Sequence, residues 1–170
     1  MVKLLVFSDS HGSFYEMKRV IASHPDVQHV LFLGDGLSDA EGLFLGGDMP
    51  SLLGVMGNCD SFTSPYGLLR RSEEVFTVEG YRLLLLHGHT ASAKAGLGGL
   101  IAAGRRHGAD LVLFGHTHIP QETYIGEEEG GPLHLFNPGS IGHPADGNKT
   151  YGLITLSPKG VLLSHGRFKE

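Results

Sequence analysis

Cysteine is almost absent from this sequence, tryptophan is absent, and no apolar run is long. The single cysteine, Cys59, excludes an intrachain disulfide and any zinc site built from several thiolates. The first apolar run meets a charged residue at Asp9, which makes it too short for a secretion signal. No other run approaches the length of a membrane span. We therefore expect a cytoplasmic protein with no membrane segment.

Basic residues are also few, because 13 lysines and arginines stand against 18 aspartates and glutamates, for a net charge of −5 with histidine neutral. They are scattered along the chain, so no basic stripe is available to follow a nucleic-acid backbone. Large nucleic acids are therefore not favoured partners. A small phosphate-containing substrate is not excluded, because bound divalent cations would add positive charge at one place.

The length and apolar content suit one globular domain over residues 1–170, since 41% of the 170 residues are hydrophobic. The first half alternates strands and helices, which predicts a parallel sheet, and the second half is mainly short strands between Gly or Pro turns, which predicts mostly antiparallel pairing. The predicted strands are 2–7, 29–33, 52–56, 75–78, 82–86, 110–114, 122–125, 133–136, 151–156 and 161–167, and the predicted helices are about 13–23, 39–44 and 92–106.

Mixed strands with helices on either side favour an α/β fold in which two sheets pack face to face and helices cover them outside, a four-layer α/β/β/α sandwich. Two local signals concern the helix starts. Ser13 and Glu16 have the spacing of a capping box, and Asp39 is either the N-cap of the second helix or a functional acid.

Five short polar motifs each follow a predicted strand. In chain order they are Asp9-Ser-His11, Gly34-Asp35, Gly57-Asn58-Cys59-Asp60, His87-Gly-His89 and Gly115-His116-Thr-His118. Ligand sites of α/β proteins gather at the carboxyl ends of strands, so these side chains are expected to form one polar centre.

The chemistry of these side chains indicates a metal site. Carboxylate, carboxamide and imidazole ligands suit Mn²⁺, Fe, Zn²⁺, Co²⁺ or Ni²⁺, whereas Ca²⁺ prefers oxygen alone. The set is too large for one tetrahedral ion but fits two ions that share a carboxylate. The seven candidate ligands are Asp9, His11, Asp35, Asn58, His87, His116 and His118.

In this order the five motifs resemble those of the calcineurin-like metallophosphoesterases, and the chain is most similar to their small single-domain bacterial and archaeal phosphodiesterases. The resemblance spans Asp9 to His118, roughly two-thirds of the chain. It implies the same sandwich fold and a hydrolase with two divalent transition metal ions, with Mn²⁺ the expected metal. It also implies attack on a phosphoester by a water or hydroxide that bridges the two ions.

Carried over residue by residue, the resemblance divides the ligands between two ions that share Asp35. The first ion would be held by Asp9, His11, Asp35 and His118. The second ion would be held by the four residues that act in catalysis through the metal-activated water, Asp35, Asn58, His87 and His116. Asn58 and Cys59 are the expected substrate contacts.

Two further polar residues of the motifs are expected to support the ligands. Asp60 is predicted to fix its loop by hydrogen bonds. His89 is predicted to orient a ligand, with metal binding in place of His87 as the alternative. Histidines outside the motifs are expected to be ordinary surface or turn residues: His24, His29, His107, His134, His143 and His165.

The chain departs from the family pattern at two places. Cys59 stands where many relatives have a histidine that assists the leaving group. We therefore expect substrates with good leaving groups, or substrates that another residue or water protonates. A small buried apolar side chain is the alternative reading of Cys59. After the segment 137–140, Pro144-Ala145 replaces a Pro-Arg pair, which leaves that segment as an anion-facing loop or merely a tight turn.

Substrate choice is assigned to the loop 60–73, which is either a selector that stacks on a base and holds a phosphate or an ordinary covering loop. Its candidate contacts are Phe62, Tyr66, Arg70 and Arg71. The predicted function is a phosphodiesterase that acts on a small phosphoester. The alternatives are a phosphomonoesterase for nucleotides or phosphoproteins, and a metal-free interaction scaffold like the related retromer subunit. The sequence does not give the oligomeric state, although small relatives often assemble into homo-oligomers.

Overall fold

Ten strands form two five-stranded sheets in the computed structural model, which describes residues 1–61 and 66–169. The strands are β1 (Val2–Phe7), β2 (His29–Phe32), β3 (Leu52–Gly54), β4 (Glu73–Val78), β5 (Tyr81–Leu86), β6 (Leu111–Leu113), β7 (Pro120–Ile125), β8 (Leu133–Pro138), β9 (Thr150–Ser157) and β10 (Gly160–Arg167). The α-helices are α1 (Phe14–Ala22), α2 (Leu37–Leu45) and α3 (Gly98–His107), and a short 3₁₀ turn covers Glu127–Glu129.

Both sheets are mixed. The first has the order β10-β9-β1-β2-β3, in which β1, β2 and β3 are parallel. The second has the order β4-β5-β6-β8-β7, in which β5, β6 and β8 are parallel and the edge strands are antiparallel. Parallel pairing therefore extends further into the second half than expected, because α3 supplies the crossover that a parallel β5–β6 pair requires.

The sheets pack face to face and helices cover both outer faces, so the predicted four-layer sandwich is confirmed. On β1, Leu4 and Val6 point into the core between the sheets, whereas Leu5 and Phe7 point towards α1 and α2. On the other side, α3 buries Leu100 against the outer face of the second sheet. Alternation along buried strands thus builds three apolar layers.

One predicted helix start and one predicted capping box are wrong. The third helix begins at Gly98 rather than near Ser92, because Ser92 and Gly96 have positive φ angles of 53° and 143° that a right-handed helix cannot accept. Ser13 occupies the N-cap of α1 but makes no side-chain capping bond. Glu16 instead accepts a hydrogen bond from Lys149 Nζ at 2.6 Å, so no capping box forms.

No helix within residues 1–61 and 66–169 has the length and apolar content needed to cross a membrane.

Candidate metal centre

The polar motifs that follow β1, β2, β5 and β6 meet at one edge of the sandwich. Asp9, Asp35 and His87 are almost completely buried there. His118 Nε2 lies 3.1 Å from Asp9 Oδ1, and His87 Nε2 lies 3.3 Å from Asp35 Oδ2. His11 Nε2 lies between the two carboxylates, 4.0 Å from Asp9 Oδ1 and 3.9 Å from Asp35 Oδ2. The structure therefore brings five of the seven predicted ligands together.

Three buried polar atoms in this cluster have no hydrogen-bond partner in the described part of the chain: Asp9 Oδ1, His11 Nε2 and His87 Nε2. An unsatisfied buried polar atom costs about 1–3 kcal/mol, so three beside one another would be strongly unfavourable without a ligand. Each is a lone-pair donor to a divalent cation in the appropriate protonation state. The residues present therefore fit a metal site.

Three groups of side chains have ligand atoms within 4.8 Å of one another: Asp9 with His11 and His118, Asp9 with Asp35 and His87, and His11 with Asp35 and Cys59. The first group contains three of the four residues predicted for one ion. The second and third include Asp35, the predicted shared carboxylate. The sequence had not indicated the closeness of Cys59 to His11.

The two remaining predicted ligands lie beside the cluster. The ring centroid of His116 is 5.1 Å from that of His87. Asn58 is exposed, and its carboxamide donates a hydrogen bond to Cys59 Sγ at 3.2 Å. The ring of His89 is 5.4 Å from that of His87, and its Nδ1 is buried without a partner among the described residues. The role of His89 remains a prediction.

Backbone strain is concentrated at this centre. Five of the predicted ligands have a positive φ angle, which is uncommon for residues other than glycine: Asp9 (53°), His11 (43°), Asp35 (61°), His116 (68°) and His118 (59°). Such conformations cost on the order of 1–3 kcal/mol each and persist only where the surroundings hold them. Backbone hydrogen bonds from Asp9 N to Gly34 O and from His11 N to Asp35 O supply part of that restraint.

Hydrogen bonds orient the ligand histidines and carboxylates. His87 Nδ1 donates to Leu33 O at 2.6 Å, and His118 Nδ1 donates to His143 O, which leaves Nε2 of each ring as the atom available to a metal. Asp9 Oδ2 accepts from Ser8 Oγ at 2.6 Å and from His116 N at 3.0 Å. Because these bonds occupy Oδ2, they leave Oδ1 facing the histidines.

Asp35 and His87, which lie side by side, shift the pKa values of each other. Burial alone would raise the pKa of Asp35, but the close contact with His87 and the hydrogen bond from Cys59 N–H outweigh it and lower that pKa strongly. Burial alone would lower the pKa of His87, but the close contact with Asp35 and the charges of Asp9 and Asp35 raise it. Burial, and then the charge of His87, lower the pKa values of His89 and His116.

Asp60 fixes the loops around Asp35. Its two carboxylate oxygens accept hydrogen bonds of 2.8–2.9 Å from four backbone N–H groups, those of Asp35, Gly36, Leu37 and Gly57. The approach of the loops is so close that a Cβ atom on Gly57 would lie 2.0 Å from Asp35 Oδ1. A glycine is therefore required at this position.

Asp39 is not the N-cap of α2, because Gly36 occupies that position. Its Oδ2 instead accepts hydrogen bonds from Ser10 Oγ at 2.7 Å and from Gly12 N at 2.8 Å. Asp39 therefore joins the first turn of α2 to the loop that carries His11.

The segment 137–140, which begins in β8, supports the centre by hydrogen bonds. Asn137 Nδ2 donates to Gly115 O at 3.1 Å and to Thr117 Oγ1 at 3.0 Å, which fixes the last histidine motif. Ser140 Oγ donates to Asp9 O at 2.8 Å. The segment is therefore more than a tight turn. The segment directly follows the predicted strand 133–136, and this position was the only sequence feature that indicated a role at the site. In the structure that strand is parallel to β6, so its carboxyl end lies at the same edge of the sheet.

Two histidines outside the motifs contact either a predicted ligand or a residue that supports the centre. His143 is exposed, as expected of a surface histidine, yet its ring centroid is 5.0 Å from that of His11. His165 is partly buried, stacks on Phe136 and donates from Nε2 to Asn137 O at 2.7 Å. No sequence motif marked either residue.

In the predicted selector loop, Arg71 pairs with Glu74 at 2.8 Å and Arg70 Nε donates to Gly67 O at 3.1 Å. Leu68 N and Leu69 N donate to the buried carboxylate of Glu41 at 2.7 Å and 2.8 Å, which ties the loop to α2. Tyr66 is exposed. Phe62 lies outside the described residues.

Comparison with known proteins adds an independent finding. A family model described as "Calcineurin-like phosphoesterase superfamily domain" matches residues 2–159. The chain is 31% identical over 181 residues to phosphodiesterase YfcE of Escherichia coli (strain K12), covering 95% of this chain and 92% of the relative.

Two solved structures share the fold. A conserved protein from Streptococcus pneumoniae TIGR4, described as a predicted phosphoesterase, superposes with a TM-score of 0.73 at 20% identity, covering 97% of this chain and 98% of the other. Vps29 from Entamoeba histolytica superposes with a TM-score of 0.73 at 18% identity, covering 99% of this chain and 100% of the other.

Proposed function

Because the chain belongs to the calcineurin-like phosphoesterase superfamily, we propose that it is a phosphodiesterase that hydrolyses a small phosphoester at a site for two divalent metal ions. The observation that supports this most directly is the group of buried lone-pair atoms on Asp9, His11 and His87, which have no hydrogen-bond partner among the described residues. Phosphoprotein and nucleotide monoesters are the second substrate class, which the assay below distinguishes.

In this proposal one ion is held by Asp9, His11, Asp35 and His118, and the other by Asp35, Asn58, His87 and His116. Mn²⁺ is the proposed metal, since the mixed carboxylate and imidazole donors suit such ions. When bound, divalent ions supply Lewis acidity that increases the acidity of water and neutralises phosphoryl oxygens. Asp35 is the proposed shared ligand, because its Oδ2 lies within 4 Å of both His11 Nε2 and His87 Nε2, at 3.9 Å and 3.3 Å.

The protein contributes pre-organisation. Asp9 and His87 are held by hydrogen bonds on the side away from the cluster, so their free atoms face the same space. Cys59 N–H donates to Asp35 Oδ1 at 2.7 Å and leaves Oδ2 free. Positions fixed in advance need no rearrangement during the reaction, which is the main way a protein lowers the barrier of phosphoryl transfer.

A water molecule, rather than a side chain, is the proposed nucleophile. The nearest thiol is the exposed Cys59, and in the metal-free protein its hydrogen bond to Asp35, some desolvation and the charges of Asp35, Asp60 and Asp9 raise its pKa. Cys59 is therefore a neutral thiol near pH 7, a poor nucleophile and a poor acid for the leaving oxygen. Substrates whose leaving groups need little protonation are proposed to react best.

The test is hydrolysis of bis(p-nitrophenyl) phosphate beside p-nitrophenyl phosphate, with chelated protein and with Mn²⁺-loaded protein. We expect metal-dependent cleavage that favours the diester and falls by about 100-fold or more in Asp35→Asn. Asp26→Asn is the matched control, because Asp26 pairs with Lys3 on the surface, and it should keep full activity. Monoester preference would favour a phosphatase, and equal activity in Asp35→Asn would refute the proposal.

A further inference from the structure

We propose that His143 contacts the substrate, donating an imidazole N–H to a non-bridging phosphoryl oxygen at the rim of the metal centre. This inference rests on the proposed function, since it needs a phosphoryl group at the centre. It adds a residue that lies outside the five motifs.

The first observation is position. The ring of His143 has its centroid 5.0 Å from that of His11, and His11 in turn lies 5.4 Å from the ring of His118. His143 thus extends the row of histidines from the centre towards solvent. It is exposed, whereas Asp9 and Asp35 below it are buried.

The second observation is that the backbone around His143 is rigidly placed. Ile141 N donates to Ser8 O at 3.3 Å, Gly142 N donates to Asp9 O at 3.2 Å, and His143 N donates to Ser140 Oγ at 2.7 Å. A Cβ atom on Gly142 would lie 2.0 Å from Ser10 O, so the segment is pressed against the loop that carries Asp9.

On its other side, His143 O accepts the Nδ1–H of His118, and Ala145 N donates to His118 O at 3.2 Å. The main chain on both sides of His143 is thereby tied to loops that hold predicted ligands. A side chain on such a support keeps a fixed position relative to the centre, which substrate binding requires.

The third observation is that the nitrogen atoms of the His143 ring have no hydrogen-bond partner among the described residues. Within residues 1–61 and 66–169 the ring of His143 makes no hydrogen bond or ion pair, in contrast to His87 and His118, whose Nδ1 atoms are both engaged. Its hydrogen bonds with the fold run through the backbone, and the ring itself contacts only the ring of His11 among the described aromatic contacts. A purely structural role would not need the ring, whereas a phosphoryl oxygen would give its N–H an acceptor.

The test compares His143→Ala and His143→Gln with His134→Ala, a control in which a histidine on β8 that contacts Tyr124 is removed. Alanine keeps the backbone N–H and C=O that hold Ser140 and His118, so metal content should not change. Two quantities are measured on Mn²⁺-loaded protein: the Kd for inorganic phosphate by calorimetry, and kcat/KM for bis(p-nitrophenyl) phosphate.

A hydrogen bond to a charged oxygen predicts that His143→Ala raises the phosphate Kd and lowers kcat/KM by about 10- to 100-fold. His143→Gln, which retains an N–H donor, should recover part of the loss, and His134→Ala should match the wild type. Unchanged values in His143→Ala would overturn the inference. A loss that follows a loss of bound metal would also overturn it, because the residue would then be structural.

The two proposals can fail separately. If the wild type binds phosphate but cleaves no ester, the proposed function fails and the phosphate affinities alone decide the role of His143. If the wild type cleaves the diester and His143→Ala changes neither quantity, the proposed function stands and only the inference on His143 is wrong.

Discussion

His87 Nε2 lies 3.3 Å from Asp35 Oδ2, and both side chains are almost completely buried. In the metal-free protein the net effect of this pairing, against burial, is to raise the pKa of His87 above its usual value of about 6.5. The raised pKa favours a proton on His87 Nε2, the atom that a metal ion would need. Protons and metal ions are expected to compete for this pair.

The first prediction is that metal binding near pH 7 releases protons. His87 keeps its proton at pH values below its raised pKa and loses it as the pH rises through that pKa. Apparent metal affinity should therefore increase with pH until the pH exceeds the pKa of His87. Calorimetric titration in two buffers of different ionisation enthalpy measures the release. The same heat in both buffers would contradict it.

The second prediction concerns two glycines with almost the same backbone angle, Gly34 (φ 96°) and Gly12 (φ 94°). An alanine Cβ at position 34 would lie 2.4 Å from Gly57 N, whereas position 12 has nothing within 4 Å. Gly12→Ala should therefore lower the free energy of unfolding by about 1 kcal/mol, from backbone strain alone. Gly34→Ala should lower it by about 3 kcal/mol more, since main-chain atoms must move.

Urea denaturation of both variants, without metal, gives the two free energies of unfolding. Equal losses of unfolding free energy in the two variants would contradict the close packing of Gly34 against Gly57.

The third prediction concerns Asp60, whose carboxylate accepts four backbone N–H groups. Asp60→Ala leaves those donors to water or without partners and should lower the free energy of unfolding by about 3 kcal/mol. Asp60→Asn keeps one carbonyl oxygen as an acceptor, so its free energy of unfolding should fall less than that of Asp60→Ala. Metal affinity should fall in the same order, because Asp35 N is one of the four donors. Wild-type stability in Asp60→Ala would refute this role.

The fourth prediction uses the raised pKa of Cys59, which its hydrogen bond to Asp35 causes first and burial second. A raised pKa means a smaller thiolate fraction at pH 8, so exposed Cys59 should react more slowly with Ellman's reagent than glutathione does. In the metal-free protein, Asp35→Asn should accelerate the reaction. The prediction would be wrong if Cys59 matched glutathione and the substitution had no effect.

The strands and the motif positions could be predicted from the sequence because each apolar run ends directly before its polar residues. The start of α3 could not, because the Ala- and Gly-rich segment before Gly98 has no strong stop signal and its turn depends on the positive φ angles of Ser92 and Gly96. Residue types alone do not determine such angles.

The supporting residues of the site were harder to predict than the candidate ligands. Asn137 and Ser140 act through single hydrogen bonds to Gly115 O and Asp9 O, contacts that join strands distant in sequence. His143 is near His11 only because Gly142 allows a close approach of the two loops. Contacts of this kind follow from the folded arrangement and have no local signature.

The measurement that tests the central claim most directly is metal stoichiometry by elemental analysis after loading with Mn²⁺ and removal of free metal. We expect about two ions per chain in the wild type, and one or none in Asp35→Asn, because Asp35 is the proposed shared ligand. A wild-type protein that retained no stoichiometric transition metal would contradict the two-metal phosphodiesterase.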